Sequence, residues 1–135
     1  MVIMDTILLI EDKSDDVLLT KIALKELDIS TDLVVKKTGV EAINYLRNNI
    51  SSKKSLPKLI ILDINLPIMN GIEILEKLKV SNHTKAIPII VFTSSDLISD
   101  ISYCYKLGAK LFLKKPNNIN DFRNAIRKIK ELCLT

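Results

Sequence analysis

The chain has 135 residues, enough for one compact domain with its own core and too few for a second of ordinary size. Hydrophobic residues make up 47% and charged residues 27%, the balance of a globular protein and not of a disordered or fibrous one. The net charge of +4 invites a nucleic-acid partner, yet the lysines are scattered, and a solvated face is the reading that such a distribution favours.

Only the last helix gathers a basic cluster, Arg123, Arg127, Lys128 and Lys130. The longest apolar runs, LIIL at 59–62 and IPIIVF at 87–92, fall far short of the roughly 20 residues a spanning helix needs, so both read as buried strands and no membrane class fits. The N-terminal stretch VIMDTILLIED has no basic leader and runs into an acidic pair, which argues against a signal peptide and for a cytoplasmic protein. Cys104 and Cys133 show neither metal spacing nor a CxxC pair and read as small helix residues in or near the core.

Strand and helix signals alternate along the chain, the pattern of βαβ units around a parallel sheet. The first strand is TILLI at 6–10, and Ser14 reads as the N-cap of a helix reaching about Leu27, with Asp15 and Asp16 in its first turn. A weaker strand LVV at 33–35 follows, then a helix opened by Thr38 and Glu41 as a capping box and ending near Asn49. The polar stretch NNISSKKSLP is a surface loop by composition, and residues 48–56 offer either a contact for a partner or a mobile tether. The third strand spans 58–63, and Gly71 precedes the third helix, GIEILEKLKV. The fourth strand is IPIIVF; the helix after it begins near Ser95 and Asp96 and stops at Gly108. The fifth strand is KLFLK, and the closing helix carries Phe122, Ile126, Ile129 and Leu132 as one apolar stripe. His83, the sole histidine, lies in the loop SNHTKAIP without the neighbours a catalytic or metal histidine needs and reads as a surface residue.

In an open parallel sheet every strand's C-terminal end points to one edge, so Glu11, Asp12, Asp63, Thr93 and Lys115 converge there. A carboxylate that attacks phosphorus must have its own charge, its neighbours' charge and that of the incoming phosphoryl group offset. Three carboxylates are balanced by Lys115 together with one Mg²⁺, an ion that takes oxygen ligands and keeps several waters. Each residue alone has a plainer reading: a helix-flanking acid pair, a turn aspartate, a strand-exit threonine, a surface lysine. Their joint occurrence at four strand ends favours the functional one.

The segments ILLIED, LIILDINLPIMNG, IPIIVFTSS and GAKLFLKKP resemble the receiver domain of two-component response regulators over essentially the whole chain. Within that family the chain looks most like stand-alone receivers associated with phytochrome-type and other sensor histidine kinases, through the polar loop before the third strand, the TSS after the fourth and DISYCYKLGA. The resemblance implies a flavodoxin-like (βα)5 fold: a doubly wound, five-stranded parallel sheet of order 2-1-3-4-5 with helices on both faces, one domain over 1–135 with no output domain. It implies Asp63 as phosphoacceptor, Asp12 and Asp63 as direct ligands of Mg²⁺ (or Mn²⁺ as a substitute), Glu11 as a ligand direct or through water, and the Asn65 backbone carbonyl as a further ligand. Thr93 and Lys115 would then hold the phosphoryl oxygens, and Thr93 with Phe112 would form the switch. Where the family often has tyrosine, Phe112 offers a purely apolar side chain. Asn65 and Ser95 would flank the approach of hydrolytic water, Ser94 would leave the site accessible to a donor, and the Lys115–Pro116 bond would be cis. The donor would be a sensor histidine kinase or a phosphotransfer protein. The helix at 96–107, with the fifth strand and the last helix, would be the face for a homodimer or a target.

On this reading the chain is not an enzyme with a separate substrate, because it takes part only in its own phosphotransfer and dephosphorylation. Two other classes compete. A haloacid dehalogenase-type phosphatase also uses an aspartate after a strand, Mg²⁺ and a lysine, but wants a second aspartate two residues on, where this chain has Asn65. A basic nucleic-acid-binding module would use the last helix and show steep salt dependence.

Overall fold

A computed structural model describes residues 5–29 and 31–134; the expected absence of a leader at 1–4 and the domain end at 135 lie outside the described residues. Five strands form one parallel sheet: β1 (Asp5–Ile10), β2 (Thr31–Lys36), β3 (Leu59–Leu62), β4 (Ile89–Thr93) and β5 (Leu111–Lys114), in the order β2-β1-β3-β4-β5. Five helices alternate with them: α1 (Ser14–Glu26), α2 (Gly39–Ser51), α3 (Gly71–Val80), α4 (Ile98–Lys106) and α5 (Ile119–Cys133). The expected doubly wound fold and strand order are therefore observed. No helix among the described residues is long and apolar enough to cross a membrane.

The central strands read as unbroken apolar runs because helices cover both of their faces. Leu8 and Ile10 of β1 point into one cluster with Ala42, Leu46, Ile74, Leu75 and Leu78 of α2 and α3. Ile7 and Leu9, one residue out of phase, point into the other with Ala23, Leu24, Phe122, Ile126 and Ile129 of α1 and α5. Phe92 of β4 meets Phe122 of α5 edge to face, with ring centroids 5.0 Å apart. Cys104 is fully buried in the first cluster and Cys133 packs against the second, as small core residues should.

Several local expectations need correction. The residue capping α1 is Lys13, in an extended conformation with no side-chain cap; Ser14 is already helical, and Asp15 and Asp16 supply the first-turn charge that favours this end. Thr38 does cap α2, its hydroxyl accepting from Glu41 N at 3.1 Å, but the Glu41 carboxylate reaches Lys37 N at 3.5 Å and not Thr38 N, so the box is half formed. The expected 48–56 loop begins later than its composition suggests: α2 continues through Ser51, and the Asn49 side chain donates to Ser55 O at 3.1 Å. α4 starts at Ile98: the Ser95 hydroxyl donates to Asp100 and the Asp96 carboxylate accepts from Lys114 Nζ at 2.9 Å, so both precede the helix. Leu132 lies outside the α5 stripe, 47% exposed, and Cys133 takes the place beside the core. No peptide bond among the described residues is cis, so Lys115–Pro116 is trans, the isomer an X–Pro bond intrinsically favours by about 0.5–1 kcal/mol.

Candidate phosphoryl and metal site

The register of the sheet assembles the site. Ile10 pairs with Leu62, so the next residue on each strand, Glu11 and Asp63, emerges side by side. Backbone bonds carry the pairing one step past the strands: Glu11 N donates to Lys36 O at 3.0 Å and Asp63 N to Ile10 O at 3.1 Å. On the other side of β3, Thr93 ends β4, and Lys115 N donates to Thr93 O at 2.8 Å, bringing the lysine to the same edge.

The turn after β3 is fixed by glycine. Gly71 N donates to Ile64 O at 2.8 Å, and a Cβ at Gly71 would lie 2.3 Å from Asp63 O and 2.6 Å from Ile64 Cα. Only glycine lets α3 begin this close to the acidic strand end. Asn70 then caps α3, its side chain accepting from Glu73 N at 3.1 Å. In the turn between β3 and α3, Ile68 takes a left-handed φ of 67°, which a β-branched residue rarely adopts, and is 93% exposed.

Asp63 is buried and held on both carboxylate oxygens. Thr93 Oγ1 donates to Oδ1 at 2.6 Å and Asn65 N donates to the same oxygen at 3.0 Å, while Lys115 Nζ donates to Oδ2 at 2.8 Å. Burial works against the Asp63 charge, but the hydrogen bonds from Lys115 and Thr93 outweigh it and keep the carboxyl below its usual range. Lys115 also donates to Glu11 Oε1 at very short range and to Asp16 Oδ2 at 2.8 Å. Burial acts to lower the lysine pKa, yet its bonds to Asp16, Asp63 and Glu11 raise it above the ordinary value, so the ammonium stays charged. Glu11 is pushed up to about 7 by burial, against the Lys115 hydrogen bond and with help from the Asp63 charge.

Ligand oxygens of Glu11, Asp12 and Asp63 lie within 4.8 Å of one another. Asp12 Oδ1 is buried without a hydrogen-bond partner, which an oxygen-seeking cation would remedy. The donor set among the described residues, three carboxylates with neither thiolate nor imidazole, suits Mg²⁺ or Mn²⁺.

Glu11, Asp12, Asp63, Thr93 and Lys115 are thus brought together as expected. Asn65 joins them through its backbone N–H, and its side-chain amide donates to Ser94 Oγ at 3.2 Å and to Thr93 Oγ1 at 3.5 Å. Ser94 is exposed; the Ser95 hydroxyl is turned away, donating to Asp100 Oδ2 at 3.0 Å in the first turn of α4. Phe112 stands back from the site, half-buried against the α2–α4 cluster, with its N–H donating to the Tyr105 hydroxyl at 3.0 Å. His83 is exposed, as expected. Asp16, expected only as first-turn charge for α1, is a further member of the site through its bond to Lys115, and no local pattern in the sequence marks it.

Comparison with known proteins agrees with this geometry. Residues 7–127 match the family model described as the response regulator receiver domain. The chain is 32% identical over 128 residues, 95% of its length and 83% of the relative's, to the probable methanogenesis regulatory protein FilR2 of Methanothrix harundinacea (strain 6Ac). It is 33% identical over 129 residues to the response regulator Rcp1 of Synechocystis sp. (strain ATCC 27184 / PCC 6803 / Kazusa), covering 95% of this chain and 88% of that protein; the Mn²⁺-bound crystal structure of Rcp1 superposes with a TM-score of 0.85. The crystal structure of the phosphorylated cyanobacterial phytochrome response regulator RcpA, 31% identical, gives a TM-score of 0.90 over 98% of this chain and 96% of that one. With its sheet order, its acidic strand ends and this family match, the chain belongs to the response regulator receiver domains of two-component signalling.

Proposed function

We propose that the protein accepts a phosphoryl group on Asp63 from the phosphohistidine of a sensor kinase or phosphotransfer protein, in a reaction that needs Mg²⁺. An Asp63 carboxylate oxygen forms the new bond to phosphorus as the P–N bond breaks; the electron pair leaves with the imidazole, and the product is a mixed anhydride on Asp63. The observation that carries this reading is the clamped Asp63 carboxylate, held by Lys115 on one oxygen and by Thr93 and Asn65 N on the other, beside the ligand oxygens of Glu11 and Asp12.

Catalysis in such a loose transfer is mainly positioning and charge stabilisation. Lys115, kept charged by its carboxylates, supplies a fixed positive charge for the phosphoryl oxygens, and Thr93 supplies a hydroxyl donor. Glu11, Asp12, Asp63 and the Asn65 carbonyl would hold the cation, which when bound offsets the phosphoryl charge. The exposed Ser94 leaves the donor's approach open.

Thr93 and Phe112 form the switch in this reading. A hydroxyl drawn from the Asp63 carboxylate to a phosphoryl oxygen vacates space toward β5, and Phe112 is tied through its N–H to Tyr105 of α4. The output is a change in the face made by α4, β5 and α5, where Leu97, Ile98, Tyr103 and Tyr105 are exposed and a second copy of the chain could dock.

The two competing classes gain nothing from the geometry. Asn65, where a phosphatase would need its acid, is an amide bonded to Ser94 and Thr93. Three of the four basic residues of the α5 cluster are engaged within the fold: Arg123 pairs with Glu26, Arg127 donates to Asn124 and Lys130 to Leu27 O.

Intact mass after incubation with acetyl phosphate tests the proposal. One phosphoryl adduct that requires both Mg²⁺ and Asp63, and is absent in Asp63→Asn, is expected. An adduct that persists in Asp63→Asn, or no adduct together with no binding of beryllofluoride, would overturn it.

A further inference from the structure

An ammonium has three hydrogens to donate, and all three on Lys115 have a carboxylate acceptor: Glu11, Asp63 and Asp16. A phosphoryl oxygen can therefore gain the lysine only as one carboxylate gives way. The three are not equivalent. Glu11 and Asp63 belong to the group whose oxygens converge on a common point, where a cation would compete with the lysine for them. Asp16 projects from the first turn of α1, is no member of that group, and binds Lys115 across 99 residues of sequence at 2.8 Å with its side chain only 21% exposed.

The charge balance is affected in the same sense. Glu11, Asp12, Asp16 and Asp63 place four carboxylates around one ammonium. A divalent cation and Lys115 bring three positive charges, enough for the three acidic residues at the strand ends and not for Asp16 as well.

We infer that Asp16 is a positioning residue that acts through Lys115 as a brake on the hold over the phosphoryl group: it retains the ammonium when the cation has drawn Glu11 and Asp63 away, and so competes directly with the phosphoryl oxygens. This rests on the assignment of Asp63 as acceptor. Replacing the Asp16 carboxylate by an amide removes a negative charge next to the ammonium and leaves only a weaker, neutral acceptor for that hydrogen, so an anion on Asp63 competes for it more successfully and is held more tightly. The cation gains nothing from the change, because a neighbouring negative charge has been lost. The two affinities therefore move apart, whereas a variant that merely loosened the fold would weaken both.

The test is titration of wild type, Asp16→Asn and Asp16→Glu with beryllofluoride in saturating Mg²⁺, followed by ¹⁹F NMR, with Mg²⁺ alone titrated in parallel. Asp16→Asn is expected to bind beryllofluoride about five-fold more tightly with no gain for Mg²⁺, and Asp16→Glu to stay within about two-fold of wild type. Unchanged or weaker beryllofluoride binding in Asp16→Asn, with wild type binding normally, would overturn the role of Asp16. A matching gain in Mg²⁺ affinity would place the effect in the cation site and also overturn it. If wild type itself binds no beryllofluoride, the assignment of Asp63 falls first and this inference with it.

Discussion

The Thr93 hydroxyl donates to Asp63 Oδ1 at 2.6 Å and accepts from the Ser95 amide at 3.4 Å, so one side chain links the end of β3 to the start of the segment leading into α4. Thr93→Ala removes both bonds, together with the one the same oxygen accepts from the Asn65 amide. It is expected to cost about 1.5–3 kcal/mol in stability, the range for a hydrogen bond to a charged group. It is also expected to confine beryllofluoride-induced amide shifts to the site, with no response at Tyr105 and Phe112; Thr93→Ser should restore the wild-type pattern. Paired ¹⁵N spectra check this, and a full response at Phe112 in Thr93→Ala would remove Thr93 from the switch.

Asp12 has a buried carboxylate oxygen with no donor. An unpaired buried acceptor is costly, and Asp12→Asn both removes a charge and adds an N–H to a cluster of acceptors. In chelator-treated buffer this variant should be more stable than wild type by about 1 kcal/mol, a rise of roughly 3–5 °C in Tm for a chain of this size. Added Mg²⁺ should raise the Tm of wild type and leave Asp12→Asn nearly unmoved. Thermal melts with and without metal decide it.

Glu11 gives the metal-free protein a defined pH dependence. Burial lifts its carboxyl from 4.5 to about 7 against the Lys115 hydrogen bond, so between these values the folded chain binds a proton the unfolded chain has lost. The stability Glu11 contributes is complete below about 4.5 and is lost as pH rises through about 7. Asp63, whose carboxyl is held low by its hydrogen bonds from Lys115 and Thr93 against the effect of burial, contributes with the opposite sign and only under more acidic conditions. Metal-free Tm should therefore fall from pH 5.5 to pH 8, and Glu11→Gln should flatten that slope. Melts across this window at constant ionic strength measure it.

Ile68 carries backbone strain without packing in return, at φ 67° and 93% exposure. Ile68→Asn or Ile68→Gly, both at home in the left-handed region, should stabilise the fold by about 1 kcal/mol. Phosphorylation by acetyl phosphate should be unaffected, since no site contact involves this side chain. Denaturant titration beside a mass-detected phosphorylation time course tests both halves.

The fold was legible because burial on both faces leaves β1, β3 and β4 as bare apolar runs, and the strand-end residues follow from parallel strands alone. The misreadings have a common origin: side chains whose role is decided across the fold and not along the chain. Asp16 resembled helix-end charge because nothing local reveals a lysine 99 residues away. Ser95 looked like the opening of α4 until its hydroxyl was found on Asp100 and the helix began three residues later. Leu132 was expected to extend an apolar stripe, but the buried face of Phe122, Ile126 and Ile129 runs on to Cys133, which leaves Leu132 one residue out of phase and exposed.

Gly71 lies so close to the carbonyl of Asp63 that a single added carbon would overlap it. β3, the turn and the first residues of α3 thus act as a rigid post, braced where any new group at Asp63 would push. In the proposed switch, a post that does not yield would send the displacement to the opposite wall, toward Thr93 and the β5 side chains behind it. In the proposed reading, the direction in which a signal would leave Asp63 is set by a missing methyl group.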